Sequence, residues 1–138
     1  MHDEKRVILA EYRLARAEEC MSEAEILLNN GCFNGSATRS YYAIFNSLRA
    51  VLALEGVDFK KHSAVISHFQ KEYVKTGVFS NEISDYVKAA FTTRNDSDYT
   101  DYYIIPKGDA EKQIDGAKRV IEAVRDYLSK IRNNSHKD

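Results

Sequence analysis

Apolar and small residues recur in steps of three and four along most of this chain, and that spacing commits it to amphipathic helices rather than strands. Val7, Ala10, Leu14, Ala17, Met21, Ala24 and Leu28 trace one face of a segment from about Glu4 to Asn30. Ile114, Ala117, Ile121, Val124, Leu128 and Ile131 trace another, after a start that Asp109 can cap. Between them, Ala37, Tyr41, Ile44, Leu48 and Val51, widened by Phe45 and Leu52, give a helix opened by Asn34 or Ser36 and closed at Glu55-Gly56. Ser63 can cap a shorter helix ending at Thr76-Gly77, and Ser80 one from about Asn81 to Tyr99.

Helix breakers are few, one proline, Pro106, and six glycines in 138 residues, which leaves long uninterrupted segments. Short connections favour antiparallel neighbours, so the expected fold is all-α, an up-and-down bundle of four to five helices filling residues 1–132, with a polar, flexible tail over 133–138. At 43% hydrophobic residues one core is affordable and two are not. No apolar run approaches the roughly 20 residues of a membrane span, and the MHDEKR start lacks a signal-peptide core, so a cytoplasmic location is expected. Cys20 and Cys32 lack metal-ligand spacing and read as ordinary reduced thiols. A net charge of −1 argues against a broad basic surface, so any RNA contact must be local.

One stripe carries a charge. Reading back from Arg94 gives Ala90, Val87 and Ile83, which places a guanidinium where the helix buries apolar surface. Such a group needs an acidic partner, a subunit seam or a phosphate. An ion pair with Asp98, one turn on, and a phosphate contact are both open. If the third and fourth helices form a hairpin about Gly77, the 1.5 Å rise per residue sets His62 and Arg94 at nearly the same height. His62 also sits at a helix N-terminus, where the dipole favours a neutral ring. A simple helix-start role is its alternative. Arg49, Lys60 and Lys61 would then make a small positive edge, while Arg39 is expected at the far end of the bundle, paired with Glu23 or Glu25.

Asp96, Asp98 and Asp101 invite a divalent-cation reading, but a solvated acidic helix end fits them better, and no metal or other cofactor is expected. Tyr99, Tyr102 and Tyr103 can stack on bases or pack in a core or interface. The segments RSYYAIFNSLRAVL (39–52) and KKHSAVISHFQKEYVKTG (60–77), followed by Arg94-Asn95 and Asp98-Tyr99, resemble the small HEPN-domain family. That resemblance implies a dimerising helical bundle, often encoded beside a minimal nucleotidyltransferase, in a toxin–antitoxin or defence pair. It implies RNA or nucleotide binding and, in the ribonuclease branches, cleavage by an arginine, a polar residue and a histidine a few residues on. Tyr99, Thr100 and Asp101 stand where that histidine would fall.

The expected site is therefore Arg94, Asn95, Asp98, Tyr99 and His62, with His62 or Tyr99 moving protons, and Arg49, Lys60, Lys61 and Tyr102 contacting RNA or nucleotide. The alternative is a catalytically inactive interaction module that dimerises and binds the nucleotidyltransferase. A metal-carboxylate bundle ranks last, since no helix carries a Glu-x-x-His pair.

Overall fold

The computed structural model describes residues 3–99 and 101–136, with the side chains of 97–99, 135 and 136 outside the described set. Among the described residues five α-helices follow one another: α1 (Glu4–Asn29), α2 (Phe33–Glu55), α3 (His62–Phe69), α4 (Asn81–Tyr99) and α5 (Lys107–His136). The bundle expected from the periodicity is the fold observed. Asp3 caps α1 by accepting from the Lys5 amide at 2.8 Å, and Ser80 Oγ accepts from the Ile83 amide at the start of α4. Gly56 closes α2 in the left-handed conformation, φ 76°. Helix α5 continues through Asn133 to His136, beyond where the tail was expected to fray. None of the described helices is long and apolar enough to cross a membrane.

Helix α2 is the axis of the molecule, packing against α1, α3, α4 and α5. Its burial is therefore wider than a single stripe: Ser36, Ser40, Ala43, Ser47 and Ala50 are as enclosed as Tyr41, Ile44 and Leu48. Ser36 does not cap the helix. Its hydroxyl donates across to the Ala24 carbonyl of α1 at 2.8 Å. With α1 and α2 antiparallel, that bond sets a register in which Ala17 lies opposite Ala43 and Ala10 opposite Ala50, all fully buried. Small residues at seven-residue intervals on both helices let the backbones approach closely, and Ser47 satisfies its hydroxyl on the Ala43 carbonyl at 2.8 Å.

Three starts differ from expectation: α2 begins at Phe33 with Cys32 in the N-cap position, so Asn34 as well as Ser36 lies inside its first turn. Helix α3 begins at His62, with Lys61 in the N-cap position and no side-chain cap, so Ser63 lies inside the first turn. Helix α5 begins at Lys107, because the Pro106 carbonyl accepts from the Asp109 and Ala110 amides and serves as the cap. After Phe69 the third helix widens into a π-helical turn, Gln70–Val74.

Candidate functional site

The connection from Val57 to Lys61 doubles back along α2, so His62 lands on the middle of that helix rather than beyond its end. Its ring stacks on Phe45, centroids 4.0 Å apart at 28°, and meets Tyr42 edge-on at 5.9 Å and 89°. The Tyr41 hydroxyl lies 2.9 Å from His62 Nδ1. With Nδ1 engaged, Nε2 is the nitrogen left to act elsewhere.

From the other side comes α4. Ile83, Val87 and Ala90 are buried as their stripe requires, and Arg94 continues it half-buried. Part of the desolvation is offset by ring faces: the guanidinium carbon lies 5.1 Å from the Tyr41 centroid and 5.9 Å from that of Tyr42. Lys61, His62, Ser63, Phe91, Arg94 and Asn95 line one open groove of about 290 Å³.

Burial, then the positive charges of Arg94 and Arg49, hold His62 below its ordinary pKa. The ring is therefore neutral near pH 7: with Nδ1–H donating to the Tyr41 oxygen, Nε2 can accept a proton, and in the other tautomer Nε2–H can donate to a phosphate.

The structure thus brings four of the expected residues together: Lys61, His62, Arg94 and Asn95. The side chains of Asp98 and Tyr99 lie outside the described ones. Lys60 is exposed beside the groove without lining it, and Tyr102 is fully exposed at φ 61°, also outside the described lining. Arg49 projects one turn beyond Phe45 and is held by Asp58 at 2.9 Å. Arg39 is misplaced by the sequence reading. It does reach Glu23, at 3.9 Å, yet its guanidinium also lies 5.6 Å from the Tyr42 centroid, one ring from His62, because the returning loop brings α3 to that level.

Tyr41, Tyr42, Phe45 and Phe91 were not expected in the site. Tyr41 and Phe45 sit on an apolar stripe and read as core, which they also are. The signal available was a hydroxyl on a stripe position, since a buried tyrosine oxygen usually has a partner. Among the described residues no three histidine, cysteine, aspartate or glutamate side chains gather as metal ligands would.

The HEPN domain model matches residues 10–127, a span that includes every element of the groove. The chain belongs to the HEPN domain family. This HEPN chain is 30% identical over 132 residues to a UPF0332 protein of Thermotoga maritima, covering 96% of its own length and 98% of that relative. It is 29% identical over 115 residues to a Methanocaldococcus jannaschii protein that bears the name "Putative toxin MJ0142", covering 83% of its own length and 78% of the relative. The crystal structure of ST0689, an archaeal HEPN homologue, matches with a TM-score of 0.62 at 19% identity, over 86% of this HEPN chain and 97% of that one. That last likeness is one of fold.

Proposed function

We propose that this HEPN protein is the toxin-like member of a toxin–antitoxin or defence pair and that it binds the phosphate backbone of RNA in the groove between α3 and α4. The observation that carries the reading is a neutral histidine and a half-buried arginine facing one groove over a shared aromatic floor. Relatives that carry a toxin's name support the biological setting.

In the metal-independent cleavage we propose, His62 Nε2 takes the proton from a ribose 2′-hydroxyl, whose oxygen attacks the adjacent phosphorus. Arg94 stabilises the charge on the phosphorane, and Asn95 and Asp98 orient the reacting groups. A proton returned to the leaving 5′-oxygen, by Tyr99 or by a His62 that has just been charged, completes the step. Lys61 draws the anion to the rim. The working unit is a homodimer, and a minimal nucleotidyltransferase is its antitoxin.

The test is expression of wild type, His62→Ala and Arg94→Ala in a bacterial host, with RNA integrity followed in parallel on purified proteins. Growth arrest and RNA cleavage by wild type, both relieved by either substitution, is the expected result. Equal growth and intact RNA for all three proteins would overturn the enzyme. The other reading, an inactive module that dimerises and binds the nucleotidyltransferase, draws on Tyr99, Thr100 and Asp101 standing in the histidine's place. It expects Arg94→Ala to alter oligomeric state or partner binding while RNA is untouched.

A further inference from the structure

A second groove, of about 250 Å³, lies between α1 and the C-terminal end of α2, lined by Lys5, Arg6, Leu9, Arg13, Gly56 and Asp58 among others. Its charges are unbalanced. Arg13 and Arg49 share one carboxylate, Asp58, at 3.3 and 2.9 Å, and Arg13 also donates to the Arg49 carbonyl at 3.0 Å. Arg13 is nearly enclosed, its side chain 12% exposed, so two guanidiniums are held together with a single negative partner between them. Arg6 adds a third. Its guanidinium lies against Gly56 so closely that a Cβ there would sit 2.6 Å from Cζ. Of the acids in this region, Glu55 is engaged by Tyr73 and His68, Glu11 by Arg132 and Asp3 by the Lys5 amide, while Glu4 stands beside Lys5 at the start of α1.

Arg49 joins this groove to the first, since it stands one turn after Phe45, on which His62 stacks, and shares Asp58 with Arg13. From Phe45, under His62, to Gly56, under Arg6, α2 advances eleven residues, about 16 Å at 1.5 Å per residue. That is room for two or three consecutive phosphates of a single strand, which stand farther apart than the roughly 3.4 Å axial rise per phosphate of a duplex.

We infer that Arg49, Arg13, Arg6 and Lys5 form a phosphate track that carries the backbone of single-stranded RNA out of the His62–Arg94 groove and along the α1–α2 edge. The inference rests on the function proposed above and extends it: the substrate is an oligonucleotide several residues long. Asp58 fixes the two inner guanidiniums in place, and the incoming phosphates supply the negative charge that one carboxylate leaves unmatched. Arg6 and Lys5, the outer members, are exposed and carry no buried hydrogen bond, so they can be neutralised without opening the core.

The experiment is fluorescence anisotropy with a labelled 12-nucleotide oligouridylate, titrated from low to moderate salt. The proteins are wild type, Lys5→Gln/Arg6→Gln, a charge-matched Lys112→Gln/Lys130→Gln control on α5, and Arg94→Ala. Each lost phosphate contact on a single strand removes about 0.7 from the slope of log K against log salt, so the Lys5/Arg6 variant should be shallower by about 1.4 than wild type. Thermal melting of each variant verifies that it is folded. Equal affinity and slope for the Lys5/Arg6 and control variants, with binding lost in Arg94→Ala, would overturn the track and leave the groove standing. Binding that none of the substitutions alters would remove the groove as well.

Discussion

Replacing Tyr41 by phenylalanine takes one oxygen from the floor of the groove and leaves every ring where it was. Tyr41 is 1% exposed and stacks on Phe45 at 5.9 Å and 15°, beneath the Arg94 guanidinium, and none of these contacts needs the hydroxyl. What disappears is the 2.9 Å bond to His62 Nδ1. A net hydrogen bond contributes about 1 kcal/mol, and the value approaches 2 where the abandoned partner is shielded from water, as His62 partly is. Unfolding entropy scales as roughly 2.1 cal/mol/K per residue, or about 290 cal/mol/K for 138 residues, so each kcal/mol lowers Tm by roughly 3.5 °C. The expected loss is therefore about 3 to 7 °C by circular dichroism. The ring nitrogens should respond too. In wild type, one neutral tautomer should dominate the nitrogen-15 shifts of His62, whereas the variant should show a mixture. A melting point within 1 °C of wild type and an unchanged His62 tautomer would refute the reasoning.

Three further predictions follow from other parts of the molecule. Because folding lowers the His62 pKa, the unfolded chain holds more protons as pH drops below its ordinary 6.5, so this contribution to stability is present above 6.5 and is lost as pH falls through the folded value; urea melts from pH 7.5 to 5 should show a decline that His62→Gln lessens. Ala43→Leu forces a branched side chain into the α1–α2 seam opposite Ala17 and should cost about 3 kcal/mol, roughly a 10 °C drop in Tm, where the same change at exposed Ala89 should cost almost nothing. Asn34 clamps the segment after α4, donating to the Tyr103 carbonyl and accepting from the Ile105 amide, both at 2.8 Å; Asn34→Ala should speed hydrogen exchange at Ile105 without changing exchange in the middle of α2.

How far the sequence could be read depended on what each residue's type reveals. The stripes of α1 and α5, and the Ile83–Val87–Ala90–Arg94 face of α4, were legible because burial there follows a single face at helical period. The meeting of His62 and Arg94 was legible from counting residues on either side of Gly77. The all-round burial of α2 was not. Ser36 and Ser47 look like surface residues in one dimension, and only a partner helix close enough to accept from Ser36, or a carbonyl one turn back for Ser47, makes their interior positions tolerable. Arg39 was misjudged for a related reason: the height of α3 along α2 is set by the course of Val57–Lys61, and loop direction leaves no periodic trace. The π-helical turn at Gln70–Val74 likewise has no signature in residue type.

The sheathing of α2 by every other helix decides which wall of the groove can yield. Amide protons in its central turns should exchange only when the entire bundle opens, so Tyr41, Tyr42 and Phe45 form an anvil as durable as the native state itself. Any adjustment that admits or expels a guest must then come from the facing side, where Phe91, Arg94 and Asn95 of α4 are only partly buried. A ligand that enters this groove has its leverage there.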